Sequence, residues 1–160
     1  MLLISATSKE AVIELDGERR VYPLGGHITT RFSTPEHLTA KVWRDQAGAY
    51  ATVGTINGLT VNFLVDTGAT AVAMHANQAK RLGISYRIEG KPIYVNTANG
   101  TTPAYEVTLD RVQVGDITLR RIRGFVIDSI GPGRVLLGMS FLKRVKMENR
   151  GEVLLLERKF

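Results

Sequence analysis

Short apolar runs recur along the chain, separated by polar turn dipeptides, and this rhythm predicts hairpins. Residues 11–15 and 19–24 flank Asp16-Gly17, and residues 38–44 and 49–56 flank the longer loop Asp45-Gln46-Ala47-Gly48. Trp43 is expected to anchor packing in the second pair. Asn57-Gly58, a strong turn signal, leads into residues 59–65, where Val61, Phe63 and Val65 share one face. Asp66 therefore emerges at the end of a buried strand.

Downstream, Ala76, Ala79, Lys80 and Leu82 have helical spacing and are closed by Gly83. Residues 93–96 and 104–109 flank a small polar tip at Asn99-Gly100, which is expected to be exposed and mobile. Residues 107–114 and 117–127 form a long hairpin about Gly115-Asp116, with Gly124 weakening its second strand or marking a bulge. A short apolar strand at 135–138, two helical turns at 139–145, a turn at Asn149-Arg150-Gly151 and a strand at 152–157 complete the chain. Hairpins every ten to fifteen residues with little helix predict an all-β, closed or sandwich-like antiparallel domain rather than βαβ units. No linker, tandem repeat or low-complexity tract interrupts it.

Composition narrows the chemistry. The 160 residues are 44% hydrophobic and 22% charged, ordinary globular usage for one domain with a real core. The absence of cysteine removes disulfides, thiol catalysis and Cys-ligated zinc, while leaving the compartment open. The net charge of +6 is mostly scattered. In its densest stretch, alternation puts Arg121 and Arg123 on one face and Arg120 on the other. No aromatic-basic box accompanies these charges, so nucleic acid is not expected as a partner. No stretch reaches the ~20 apolar residues of a membrane span, and residues 1–4 are too short for the core of a signal peptide. His27, His37 and His75 lack metal-ligand spacing, so no metal or cofactor is expected. Ser140 lacks the following glycine of a nucleophile elbow.

What stands out is Asp66-Thr67-Gly68-Ala69 directly after Phe63-Leu64-Val65. Alone, the tripeptide is a strand-terminating turn. A second stretch, Leu136-Leu137-Gly138, again leads an apolar pair and a glycine into a short helix, and the two look like a pseudo-repeat. Residues 63–70 resemble the active-site loop of the retropepsin-like aspartic proteases. Asp66 to Ala73, Arg81-Leu82-Gly83-Ile84, Thr97-Ala98-Asn99-Gly100 and Leu136-Leu137-Gly138-Met139-Ser140-Phe141-Leu142 are similar, in order, to the bacterial periplasmic or membrane-associated branch.

The resemblance implies an acid-protease single lobe, a closed β-barrel with one or two short helices that functions as a homodimer. The protease domain is expected over residues 36–160, with residues 1–35 as an N-terminal hairpin extension. Longer relatives begin with a signal or anchor, absent here, so an excised or processed portion is expected, periplasmic or membrane-associated. Hydrolysis of a peptide bond without metal or covalent nucleophile needs two carboxyls sharing one proton. Asp110, Asp116 and Asp128 lack the Thr-Gly sequel. The second carboxyl is therefore expected from Asp66 of an identical chain. By the same resemblance Thr67 would lock the two loops, Gly68 would admit substrate backbone beside Ala69, and Thr97, Ala98, Asn99 and Gly100 would form a flap over bound peptide. Leu136, Leu137 and Gly138 would support the active loop, the leucines chiefly as core. Thr70 stands where viral members often carry an acidic residue, so one charged contact to substrate does not transfer. A catalytically silent peptide-binding or regulatory module of the same fold is the alternative expectation.

Overall fold

The structure is a computed structural model that describes residues 2–6, 10–15, 17–23 and 37–159. The chain divides into two compact units, Met1–Glu36 and His37–Phe160. In the first, β1 (Leu2–Ala6), β2 (Glu10–Leu15) and β3 (Glu18–Pro23) form a three-stranded antiparallel sheet. Gly17 turns β2 into β3, and Arg19 pairs with Glu14 at 3.2 Å. Asp16 and Leu24 of the expected hairpin lie outside the described residues, as does His27.

The second unit carries β4 (Thr39–Arg44), β5 (Tyr50–Ile56), β6 (Leu59–Val65), β7 (Val72–His75), α1 (Ala76–Arg81), α2 (Tyr86–Glu89), β8 (Lys91–Thr97), β9 (Gly100–Val114), β10 (Ile117–Ile127), β11 (Arg134–Leu137), α3 (Met139–Leu142), β12 (Val145–Asn149) and β13 (Val153–Arg158). Its class is all-β, with helices of only four to six residues. Ten strands run in the order β12-β13-β4-β5-β6-β11-β7-β10-β9-β8. Pairing of Thr55 with Gln113 and Ile56 with Val112 joins β5 back to β9, so six strands close into a ring. Closure depends on Gly54, where any Cβ would strike the Gln113 carbonyl and the Phe63 ring. Inside the ring, alternation buries Val61 and Phe63 of β6, Leu109 and Val112 of β9, Ile117, Leu119 and Ile122 of β10, and Val135 and Leu137 of β11. Each large apolar side chain removed from water contributes about 1.5–3 kcal/mol against chain entropy.

Four expectations are corrected. The domain is not purely antiparallel: β6 pairs in parallel with β11, and β7 with β10. Trp43 does not anchor the core; Ala40 and Val42 take the inner face of β4, which turns Trp43 outward at 60% exposure. The helix expected over 139–145 stops at Leu142, because Val145 is buried and already paired with Arg158. Arg120, Arg121 and Arg123 are all exposed. Alternation slips at Arg121, whose φ of 54° is left-handed, and in step at Asp110 on β9, so neither charge enters the core. The irregularity of β10 thus lies at Arg121, while Gly124 keeps regular pairing with Val107 and Val72.

Candidate active site

Strand β6 delivers Asp66. Leu64 and Val65 pair in parallel with Leu136 and Leu137, and the Asp66 N–H donates to the Leu137 carbonyl at 3.2 Å. The chain then turns at once. The Ala69 N–H donates to the Asp66 carbonyl at 3.2 Å, and the Gly68 N–H donates to Asp66 Oδ1 at 2.8 Å. This last bond orients the half-buried carboxylate and leaves Oδ2 without a bonding partner among the described residues. Thr67 beside it is exposed.

Continuing the β6–β11 register by one step sets Gly138 opposite Asp66. The pseudo-repeat of the sequence is thus a pair of neighbouring strands in the molecule. Gly138 is buried, and a Cβ there would collide with the Ala71 and Ala69 carbonyls, so only glycine lets the two loops meet. The Met139 N–H then donates to the Ala69 carbonyl at 2.8 Å. Beneath, the buried Ser140 hydroxyl accepts the Val72 N–H at 3.0 Å and donates to the Arg123 carbonyl at 2.7 Å. One hydroxyl thereby ties α3 to both β7 and β10, satisfying two backbone groups that would otherwise be costly to bury.

Asp66, Gly68 and Ala69 line a cleft of about 1250 Å³ whose far wall is the β8–β9 hairpin tip, Thr97, Ala98, Asn99 and Gly100. Leu136 is half-buried and lines the same cleft, whereas Leu137 is fully buried in the core. At the tip, Thr97 Oγ1 donates to the Gly100 carbonyl at 2.9 Å and accepts the Asn99 N–H at 3.3 Å, and Gly100 takes a φ of 106°. Several lining residues were not assigned to the site from sequence: Tyr94 (77% exposed) and Ile130 (88%), together with Arg123, read only as part of a basic stretch, and His75, read only as lacking metal-ligand spacing, whose Nδ1 lies 3.2 Å from Ser129 Oγ. Ile130, bracketed by Ser129 and Gly131-Pro132-Gly133, carried the one available signal, a bulky apolar residue within a turn-forming stretch.

The base of the hairpin is fastened separately. Tyr86 on α2 donates its hydroxyl to Asp128 Oδ1 at 3.0 Å, and Arg87 donates to the same oxygen at 2.9 Å. The Arg87 bond, with the Tyr86 bond second, holds the Asp128 carboxyl below the usual carboxylate range. Burial, followed by the bond to Asp128, pushes the Tyr86 hydroxyl up. The Tyr86 ring meets Tyr105 of β9 edge-on at 5.4 Å between centroids.

A family model described as "gag-polyprotein putative aspartyl protease" matches residues 52–144, more than half of the chain. The chain belongs to this family. Its fold is that of a retropepsin-like aspartic protease: a crystal structure of such a protease from Rickettsia conorii is similar at a TM-score of 0.59 and 29% identity, covering 75% of this chain and 89% of that one. An uncharacterized protein in the cobV 5' region of Sinorhizobium sp is 35% identical over 100 residues, 62% of this chain. An uncharacterized protein of Rickettsia prowazekii (strain Madrid E) is 35% identical over 95 residues, 57% of this chain. The matches span only 43% and 38% of those two proteins. Within this aspartyl-protease family, the matched segment contains Asp66, the hairpin tip and Leu136 to Gly138. Among the described residues of the chain, no group of three or more His, Asp or Glu is placed to hold a metal ion, and no helix is long and apolar enough to cross a membrane.

Proposed function

We propose that the protein is an aspartic endopeptidase whose working unit is a homodimer, with Asp66 of each chain supplying half of a shared dyad. The observation that carries this reading is the strand register, which, continued one step past Val65 and Leu137, sets Gly138 opposite Asp66: the matching position at the neighbouring strand end offers no carboxylate, so one chain holds half of the required chemistry. Two carboxyls brought close cannot both ionise, which leaves one charged and one protonated. The charged one removes a proton from water as its oxygen attacks the peptide carbonyl carbon. The protonated one donates to the carbonyl oxygen. Collapse of the tetrahedral intermediate breaks the C–N bond, and the amine leaves with a proton returned from the dyad.

In this reading the Gly68 N–H to Oδ1 bond aims each carboxylate, and Thr67 joins the two loops at the two-fold axis. The hairpin tip closes over an extended peptide, pairing with its backbone and excluding water. An unbiased peptide library digested at acidic to neutral pH tests the proposal. Cleavage that a statine-type transition-state mimic inhibits, and that Asp66→Asn abolishes while the protein stays folded, supports it. Wild-type protein that binds peptides yet cleaves none across that range supports a silent peptide-binding module instead.

A further inference from the structure

Away from the cleft, a second concavity of about 470 Å³ is lined by Arg111, Arg120, Arg144 and Arg158, together with Thr55, Gly58, Gln113 and Thr118. Strands β9, β10 and β13 and the turn between α3 and β12 supply its arginines, and no carboxylate lines it. Among the described residues, none of the four arginines takes part in an ion pair. Of the nearby carboxylates, Glu157 is engaged with His37 at 2.8 Å, and neither Asp110 nor Asp116 reaches the lining.

The arrangement is costly as it stands. Arg111 and Arg120 are directly opposed across β9 and β10, and like charges in such a pair repel. A third cation is then fixed beside them, because the half-buried Arg144 donates from Nη1 to the Arg120 carbonyl at 2.8 Å. The Arg111 backbone is pinned as well: its carbonyl accepts the Asn57 N–H at 2.9 Å and its N–H donates to Asn57 Oδ1 at 3.1 Å. The Asn57-Gly58 turn thus holds one wall of the groove against β9. Guanidinium groups converging without a counter-charge, one of them held by its bond to the backbone, suit an oxyanion with several acceptor oxygens, which each planar fork can meet with paired N–H donors. At roughly 30 Å³ per water, the volume is that of about fifteen waters, enough for more than one phosphate group.

We propose that this groove is a binding site for a phosphate-bearing anion, separate from the proteolytic cleft. Thr55, Thr118 and Gln113 supply neutral donors around the arginine ring, favouring a phosphate group over a bare carboxylate. Phosphate can be presented free or on a lipid headgroup, and the chemistry at the groove is the same.

The test compares the whole chain with the R111Q/R158Q variant, chosen because both side chains are exposed and Arg144, which bonds the backbone, is kept. A K41Q/K146Q variant removes equal charge from lysines outside the groove. Binding of inorganic pyrophosphate by calorimetry and of phosphatidylglycerol vesicles by sedimentation is measured at low salt, with the unfolding temperature of each variant recorded. The expected result is saturable binding in at least one arm, weakened tenfold or more by R111Q/R158Q and at most twofold by K41Q/K146Q, with unfolding temperatures unchanged. Binding to pyrophosphate identifies a free anion as sufficient; binding to vesicles alone identifies the headgroup source. Absence of binding in both arms, or equal weakening by the two variants, overturns the proposal.

Discussion

Asp66 and Gly138 stand opposite each other one step past the ends of two parallel strands, one carrying a carboxylate and the other lacking any side chain. That asymmetry is what the proposed dyad rests on: under that reading, this chain equips only one of the two strand ends with a carboxylate. Gly138 cannot be filled, because the Ala69 and Ala71 carbonyls occupy the space a Cβ would need. Gly138→Ala is expected to destabilise the fold by about 3 kcal/mol or more through this overpacking, as read from urea unfolding. A change under about 1 kcal/mol would mean that the two loops are less tightly joined than described.

Ser140 is the other fastening of the active loop. Ser140→Ala leaves the Val72 N–H and the Arg123 carbonyl without their side-chain partner inside the protein, at an expected cost of about 1–3 kcal/mol. Ser140→Thr, which keeps the hydroxyl, should lose less if its methyl is accommodated. Equal losses in the two variants would show that packing, rather than the hydrogen bonds, governs the site.

Much of this architecture could be read along the chain because its determinants are local. Asn57-Gly58 and Gly115-Asp116 each sit between runs that pair directly across the turn, so β5–β6 and β9–β10 follow from adjacent residues. The Asp66 loop was legible for the same reason. Non-local relations were legible only through the resemblance, which set Leu136 to Gly138 beneath the active loop. Nothing in the residues around Leu64 themselves indicates that Leu136 will lie beside it in parallel, and the four residues of β7 are too short for their alternation to register. Trp43 misled because composition favours burying an indole, whereas the phase set by Ala40 and Val42 decided its side. The slip shared by Asp110 and Arg121 is equally invisible, since it keeps two charges out of the core by a backbone turn that alternation alone does not predict.

Asp128 makes the stability of the hairpin base depend on pH. Its carboxyl is held low by Arg87 and Tyr86, so its contribution is fully present above the unfolded value of about 3.9 and is lost as pH falls through the lower folded value. Thermal unfolding of wild type against Asp128→Asn should show a gap that is constant above about pH 5 and narrows below about pH 4. A gap that widens on acidification would contradict the assignment.

Thr97 shapes the hairpin tip through both of its hydroxyl bonds. Thr97→Val is expected to change unfolding free energy by no more than about 1 kcal/mol while lowering kcat/KM roughly tenfold, because an exposed tip contributes little to stability yet, under the proposed function, must meet the substrate in one shape. Steady-state kinetics on the best library peptide checks this, and an unchanged kcat/KM would remove the tip from substrate binding.

The claim that two copies of Asp66 form one dyad is tested most directly by dilution with an inactive subunit. Wild-type and Asp66→Asn chains are unfolded together, refolded at varied ratios, and assayed at constant total protein. If every active unit needs both carboxylates, activity falls as the square of the wild-type fraction, to a quarter at an equal mixture. A fall in direct proportion, to one half, would show that each chain cuts with its own aspartate alone and would contradict the account.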